Sequence, residues 1–227
     1  MGSCACPADV SSRLEVVIAA PTPASWAYAE TFIVEDDVLS RARARSGILG
    51  CRPIMPGIGT FLRAMSTALT ARAVVEVGTG AGVSGVYLLR GMPADGVLTT
   101  IDLETENQRA ARMAFTEAGI RQNRARLIPG RALDVLPRLT DGAYDLVFLD
   151  AEPLEYDLYL DRAIRLLRPG GMLAVGSALW GGRVADPAQR DPSTTALRDV
   201  VRRIREDARV QPALLPCGDG LLLAVVI

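Results

Sequence analysis

The sequence predicts an α/β fold: a mostly parallel, seven-stranded sheet with helices on both faces and an antiparallel strand from a C-terminal hairpin. Three observations carry this. Short β-branched runs alternate with amphipathic helical segments along most of the chain, the pattern of strands joined by helical crossovers. Within residues 73–90, AVVEVGTGAGVSGVYLLR, an apolar strand runs into glycines at 78, 80 and 82 and then into a helical pattern. Two apolar runs at the C-terminus flank the turn CGDG, which reads as a hairpin.

At 227 residues the chain has room for one such domain. Residues 1–51 are expected to form a flexible start and a helical extension, and residues 52–227 the main domain. With 49% hydrophobic and 22% charged residues the composition is that of a soluble globular protein. No apolar run reaches the roughly 18 residues of a membrane span, and the start lacks the regions of a secretory signal. A formal net charge of -1 without a dense basic run argues against nucleic acid as a partner. The four cysteines have no zinc-type spacing and no disulfide framework, so a cytoplasmic location is expected. Cys4 and Cys6 read as an exposed pair rather than a metal site.

One absence constrains the chemistry. The chain has no histidine and no lysine; all 25 basic residues are arginine. Arginine does not release its proton at physiological pH. A catalytic base must therefore be Asp, Glu, Tyr, Cys, the amino terminus or water, and Ser-His-Asp triads and lysine Schiff bases are excluded.

In chain order, residues 1–12 are expected to be flexible, and residues 24–32 and 35–45 to be helical beyond Pro21 and Pro23. Arg41, Arg43 and Arg45 read as a solvated helix face in preference to an anion-binding patch. The loop RPIMPGIG, residues 52–59, leads into a helix over residues 58–69. After the opening strand, glycine turn and helix come strands over residues 97–102, 124–130, 144–150 and 171–176. Helices are predicted over residues 105–118, 132–139 and 154–167, with RPGG as a turn before the fifth strand. A long loop over residues 177–192 precedes a helix over residues 193–207.

A glycine turn between a strand and a helix N-terminus aims backbone N–H groups and the positive end of a helix dipole at one point. The residues leave two ligand classes open. From Gly80, GAGVSG fits G-x-G-x-x-G, and Asp102 stands at a suitable distance for a ribose in a dinucleotide site. That register starts two residues late, because Gly78 already closes the strand. The alternative ligand, S-adenosylmethionine, also uses a glycine turn and an acid ending the second strand.

VEVGTGAGVS, the acid in TTID, the strand YDLVFLDAE and the LLRPGG turn together resemble class I methyltransferases, whose fold is Rossmann-like with an antiparallel final strand. More narrowly, GRALDVLPRL, VFLDAE and SALWGGRV are similar to segments of the catechol and caffeoyl-CoA O-methyltransferase family and its bacterial relatives, over residues 52–227. The resemblance implies S-adenosylmethionine as cofactor, a small hydroxylated molecule as substrate, and a homodimer. It places Glu76, Gly78 and Ser84 at the methionine end of the cofactor and Asp102 at the ribose, with Thr79 and Leu103 among the cofactor-binding residues. Arg131 and Ala132 border the adenine, Ile54 and Met55 pack near the methionine portion, and Asp150 stands beside the reacting centre. Ser84 also suits a carboxylate on physical grounds, as a hydroxyl at a helix start. Glu76 is open between facing the ammonium and satisfying loop N–H groups. Asp102 has a plainer alternative as a helix cap.

The chain also departs from that pattern. The family's cation is held by an Asp ending the fourth strand, here Asp150, and by an Asp-Asn pair that aligns with Gly176 and Ser177. One carboxylate and a serine are a poor magnesium site, so no metal is expected. The family's lysine aligns with Pro153. Candidates for a base or orienting group are Asp150, ahead of Glu152, Glu155, Tyr156 and Tyr159, with Trp180 as a lid or substrate wall. The readings that follow are a metal-independent O-methyltransferase, or a protein of the same fold that binds the cofactor with reduced catalysis. A nicotinamide oxidoreductase stands third.

Overall fold

Alternation along the strands divides the interior in two. In β1 (Ala73–Val77) and β4 (Tyr144–Leu149), Val74, Leu146 and Phe148 enter one hydrophobic core, while Val75, Val77, Val147 and Leu149 enter the other. Successive strand side chains point to opposite faces, so a sheet covered on both sides needs apolar residues at nearly every position. The computed structural model describes residues 22–227. The expectations for residues 1–12 and for Cys4 and Cys6 lie outside the described residues.

The other strands are β2 (Val97–Asp102), β3 (Ala125–Pro129), β5 (Leu167–Val175), β6 (Val210–Leu215) and β7 (Leu221–Val226). The sheet order is β3-β2-β1-β4-β5-β7-β6. Strands β1 to β5 pair in parallel, and β7 pairs antiparallel with both β5 and β6. The terminal hairpin therefore folds its last strand inward against β5 and leaves β6 at the edge. The seven-stranded, mostly parallel sheet is the one expected.

The helices are α1 (Pro23–Glu30), α2 (Asp37–Leu49), α3 (Pro56–Ala68), α4 (Val83–Gly91), α5 (Thr105–Glu117), α6 (Ala132–Val135), α7 (Tyr156–Leu166) and α8 (Pro192–Glu206). Residues of α2 to α5 share the first core, and residues of α6 to α8 the second. RPGG is not the turn predicted. It lies inside β5, where Leu167 pairs with Tyr144 before a register shift, and Gly170 takes a φ of 73°. A glycine pair lets the strand bulge and still pair, so the sequence signal for a turn marks a kinked strand start.

The arginine run on α2 is ion-paired: Arg41 and Arg45 donate to Glu117 on α5, and Arg43 donates to Glu35. It braces α2 against α5. The 177–192 loop is tied down by Arg198 of α8, which donates to the carbonyls of Arg183, Val184, Asp186 and Gln189.

Candidate active site

The order of the sheet reverses at β1, where chain connections leave toward β2 on one side and β4 on the other. Crevices at such switch points are where open α/β sheets bind ligands. Here a cleft of about 450 Å³ opens beyond the C-terminal ends of β1, β2 and β4, with Val77, Ile101 and Asp150 in its floor.

The glycine turn forms one wall. Gly78 takes a φ of 97°, and a Cβ there would lie 2.1 Å from the Asp150 carbonyl oxygen. Gly82, at φ 86°, is the N-cap of α4 and supplies no side-chain cap. The first amides of α4 are thus left by the chain for a ligand. Ser84 lies in this first turn, lines the cleft and is 7% exposed.

Asp102 ends β2 and is held from the glycine side. Its Oδ2 accepts from the Gly80 amide at 2.9 Å, and its Oδ1 accepts from the Glu104 amide at 2.9 Å. Asn107 donates its side-chain amide to the same carboxylate at 3.1 Å and 3.2 Å. The helix-cap alternative is not what forms: Glu104 is the N-cap of α5, and no side chain caps it. Asn107 went unnoticed in the sequence, although it stands in the first helical turn after an acid.

Of the other expected cofactor residues, Ile54, Thr79, Leu103, Arg131 and Ala132 line the cleft. Met55 does not; it is the N-cap of α3 and lies against the Gly218 turn, where a Cβ on Gly218 would stand 3.3 Å from its own. Glu76 is fully buried and also does not line the cleft. Its Oε2 accepts from the Thr100 hydroxyl at 2.6 Å, while its Oε1 is buried without a partner. No loop amide reaches it among the described residues, so the loop-satisfying role is not the one seen. Burial pushes its carboxyl up to about 7, against the Ser84 and Thr100 hydroxyls that favour the ionised form.

Asp150 follows β4, its amide donating to the Val77 carbonyl at 2.9 Å. Burial raises its carboxyl to about 7, opposed by the Ser177 hydroxyl and the Arg52 charge and reinforced by Asp219. Ser177 Oγ donates to its Oδ1 at 3.4 Å. A Cβ on Gly176 would lie 2.6 Å from that same oxygen, so a glycine is what makes room for the carboxylate. The donors at these strand ends are therefore one carboxylate, one hydroxyl and no side chain at position 176. That set does not fit a hard divalent cation, which needs several oxygen ligands.

Tyr156 is set aside as a base, because its hydroxyl is bound to the backbone of Ala151 and burial raises its pKa far above the usual value. Tyr159 donates to Glu155, which also accepts from Arg131 at 3.2 Å. Trp180 lines the cleft, and the Arg52 guanidinium lies 5.5 Å from its ring centroid. Arg52 and Asp219 were not singled out from the sequence. Arg52 lines the cleft and Asp219 acts on Asp150 through its charge, both from segments that carry no recognisable catalytic motif.

A profile described as O-methyltransferase matches residues 32–227. A Mycobacterium tuberculosis protein described as a probable O-methyltransferase is 52% identical over 200 residues, covering 88% of this chain and 89% of its own. The crystal structure of the O-methyltransferase TomG from Streptomyces achromogenes, involved in tomaymycin synthesis and solved with S-adenosylmethionine, superposes with a TM-score of 0.79 at 28% identity. That superposition covers 88% of this chain and 94% of TomG. A Bacillus cereus O-methyltransferase in complex with S-adenosylhomocysteine gives 0.80 at 25% identity, over 91% and 98% of the two chains. The chain belongs to the O-methyltransferase family.

Proposed function

We propose that the protein transfers a methyl group from S-adenosylmethionine to a hydroxyl of a small molecule, without a metal ion. The observation that carries this is the pairing of two carboxylates in one cleft. Asp102 ends β2 and accepts from the Gly80 amide, and Asp150 follows β4 beside Gly78 with its carboxyl raised to about 7.

The residues present fit the cofactor. Gly78 and Gly80 allow close approach, and Ser84 with the uncapped amides of α4 suits a carboxylate. The Oε1 of Glu76 is buried without a hydrogen-bond partner, and Glu76 stands two residues before Gly78 of the turn. Asp102 offers oxygens to two ribose hydroxyls. Thr79, Leu103, Arg131, Ala132 and Ile54 complete the walls. When bound, S-adenosylmethionine supplies an already activated methyl group.

The chain's own contribution is then orientation and one proton. Asp150 accepts the proton of the acceptor hydroxyl, while S-adenosylmethionine held by Asp102, Ser84 and the glycine turn would supply the methyl group and keep the electron pair of the bond that breaks. A base with pKa near the working pH is the efficient choice. Ser177 orients Asp150, and Trp180 walls the acceptor side. Holding the reactants in line supplies much of the rate in a displacement of this kind.

We also place the protein in the cytoplasm, in keeping with free thiols at Cys51 and Cys217. A homodimer through the N-terminal helices accounts for the exposure of Tyr28, Phe32, Val34 and Ile48, at 69% or more each, and sedimentation measures it. The test of function is calorimetry with S-adenosylmethionine and S-adenosylhomocysteine, followed by a panel of phenols assayed with chelator present. Binding and methylated product are expected. Absence of affinity for both sulfur ligands overturns the proposal, and strict magnesium dependence overturns its metal-free form.

A further inference from the structure

Helix α3 begins without a cap of its own. Met55 occupies the N-cap position, no side chain there accepts a hydrogen bond, and Pro56 follows. The next amide, that of Gly57, donates instead to Glu30 Oε2 at 2.7 Å, a carboxylate at the last residue of α1. The other oxygen of that carboxylate accepts from the Gly218 amide at 2.7 Å, in the turn between β6 and β7. Glu30 is 6% exposed. A negative charge at a helix C-terminus is opposed by the dipole of its own helix. The two charge-assisted bonds to backbone amides offset that cost. Gly57 makes the approach possible, since a Cβ there would lie 2.5 Å from Glu30 Oε1.

Neither glycine lines the cleft itself; each sits beside a segment that leads to it, and Gly57 lines a second pocket together with Glu30 and Phe61. Gly57 follows Arg52, Pro53 and Ile54, which line the cleft. Gly218 precedes Asp219, whose carbonyl accepts from the Leu179 amide at 2.9 Å and whose carboxylate accepts from the Gly181 amide. Gly220 accepts from the Ala178 amide at 3.0 Å. These bonds bracket Trp180. On the outside, Arg52 Nη1 lies 3.6 Å from Asp219 Oδ2, joining the same two segments a second time.

We infer that Glu30 is a positioning residue for methyl transfer: its carboxylate ties residues 52–57 to the loop around Trp180, through the amides of Gly57 and Gly218, and so sets the width of the acceptor site. An ionised carboxylate is needed because it only accepts. A glutamine offers one oxygen and one NH2 group, which would face one of the two amides as donor against donor. Helix α1 thereby serves the acceptor site and not the cofactor. The kinetic part of this inference rests on the proposed function; the structural part does not.

The test uses the full chain with Glu30→Gln and, as a second variant, Glu30→Asp, whose shorter side chain cannot span both amides. Hydrogen exchange is read at Gly57, Leu179, Gly181 and Gly218, affinity for S-adenosylhomocysteine by calorimetry, and KM and kcat with a phenol acceptor. Exchange at those amides is expected to rise about tenfold, the order expected for losing one charge-assisted bond, with β1 and β4 unchanged. Cofactor affinity is expected to hold, while acceptor KM rises about tenfold and more than kcat falls. Unchanged exchange at Gly218 and Leu179 in both variants overturns the tie. Faster exchange with unchanged acceptor KM overturns the positioning role. If the wild-type chain transfers no methyl group, the functional reading fails, and the exchange experiment alone decides the tie.

Discussion

Glu76→Gln is the sharpest test of the electrostatics beneath the cleft. Glu76 has no exposed surface, accepts from the Thr100 hydroxyl, and has a carboxyl raised from 4.5 to about 7 by burial first and by Asp150 and Asp102 second, against the Ser84 and Thr100 hydroxyls. Between those two values the folded chain holds a proton that the unfolded chain has released. Stability therefore falls as pH rises from about 4.5 to about 7, and levels off above it. At 1.36 kcal/mol per unit, that shift amounts to about 3 kcal/mol lost by pH 8. The glutamine is neutral throughout and keeps an oxygen for the Thr100 hydroxyl. Urea unfolding of wild type and variant at pH 4 and pH 8 gives the comparison. Asp150 adds a slope of the same sign to both proteins, and the charge interaction it shares with Glu76 is lost in the variant. The variant should gain about 2–3 kcal/mol on wild type between the two pH values, on the order of the full linkage. It should also bind S-adenosylhomocysteine more weakly. A difference that does not change with pH means that Glu76 ionises in the folded state as freely as in water, and overturns the burial effect.

Two further substitutions probe the cofactor wall. Gly78→Ala places a methyl group 2.1 Å from the Asp150 carbonyl at a φ of 97°, so thermal unfolding should show a loss of about 3 kcal/mol or more, together with lost cofactor binding. Asp102→Ala removes the acceptor for the Gly80 amide and the proposed ribose contact; calorimetry should show affinity for S-adenosylhomocysteine reduced on the order of 10–100-fold. Unchanged affinity in that variant contradicts the assignment of Asp102.

The parts of this molecule that were legible in the sequence are those built from neighbouring residues. The strand Ala73–Val77, the glycines after it and the helix from Val83 are one continuous stretch, and local chemistry dictates them. Asp102 and Asp150 were legible for the same reason, each as an acid closing an apolar strand run. The errors lie where a local signal has a second use. RPGG has turn composition, yet pairing with β4 drew it into a bulged strand. Met55 stands next to Ile54, but the start of α3 turns only one of them into the cleft. Tyr156 was a candidate base until its hydroxyl was found spent on the Ala151 backbone. Long-range contacts left no trace at all: Glu30 and Gly218 are 188 positions apart, and nothing in either segment points to the other.

Removal of the acceptor proton by Asp150 is read from the pH dependence of kcat for methyl transfer to a phenol, with chelator present. For the wild-type chain the rate should rise as pH increases through about 7, where Asp150 loses its proton. Asp150→Asn should lose on the order of 100-fold or more in kcat and the inflection with it. A variant that keeps the wild-type rate and the same inflection contradicts the account.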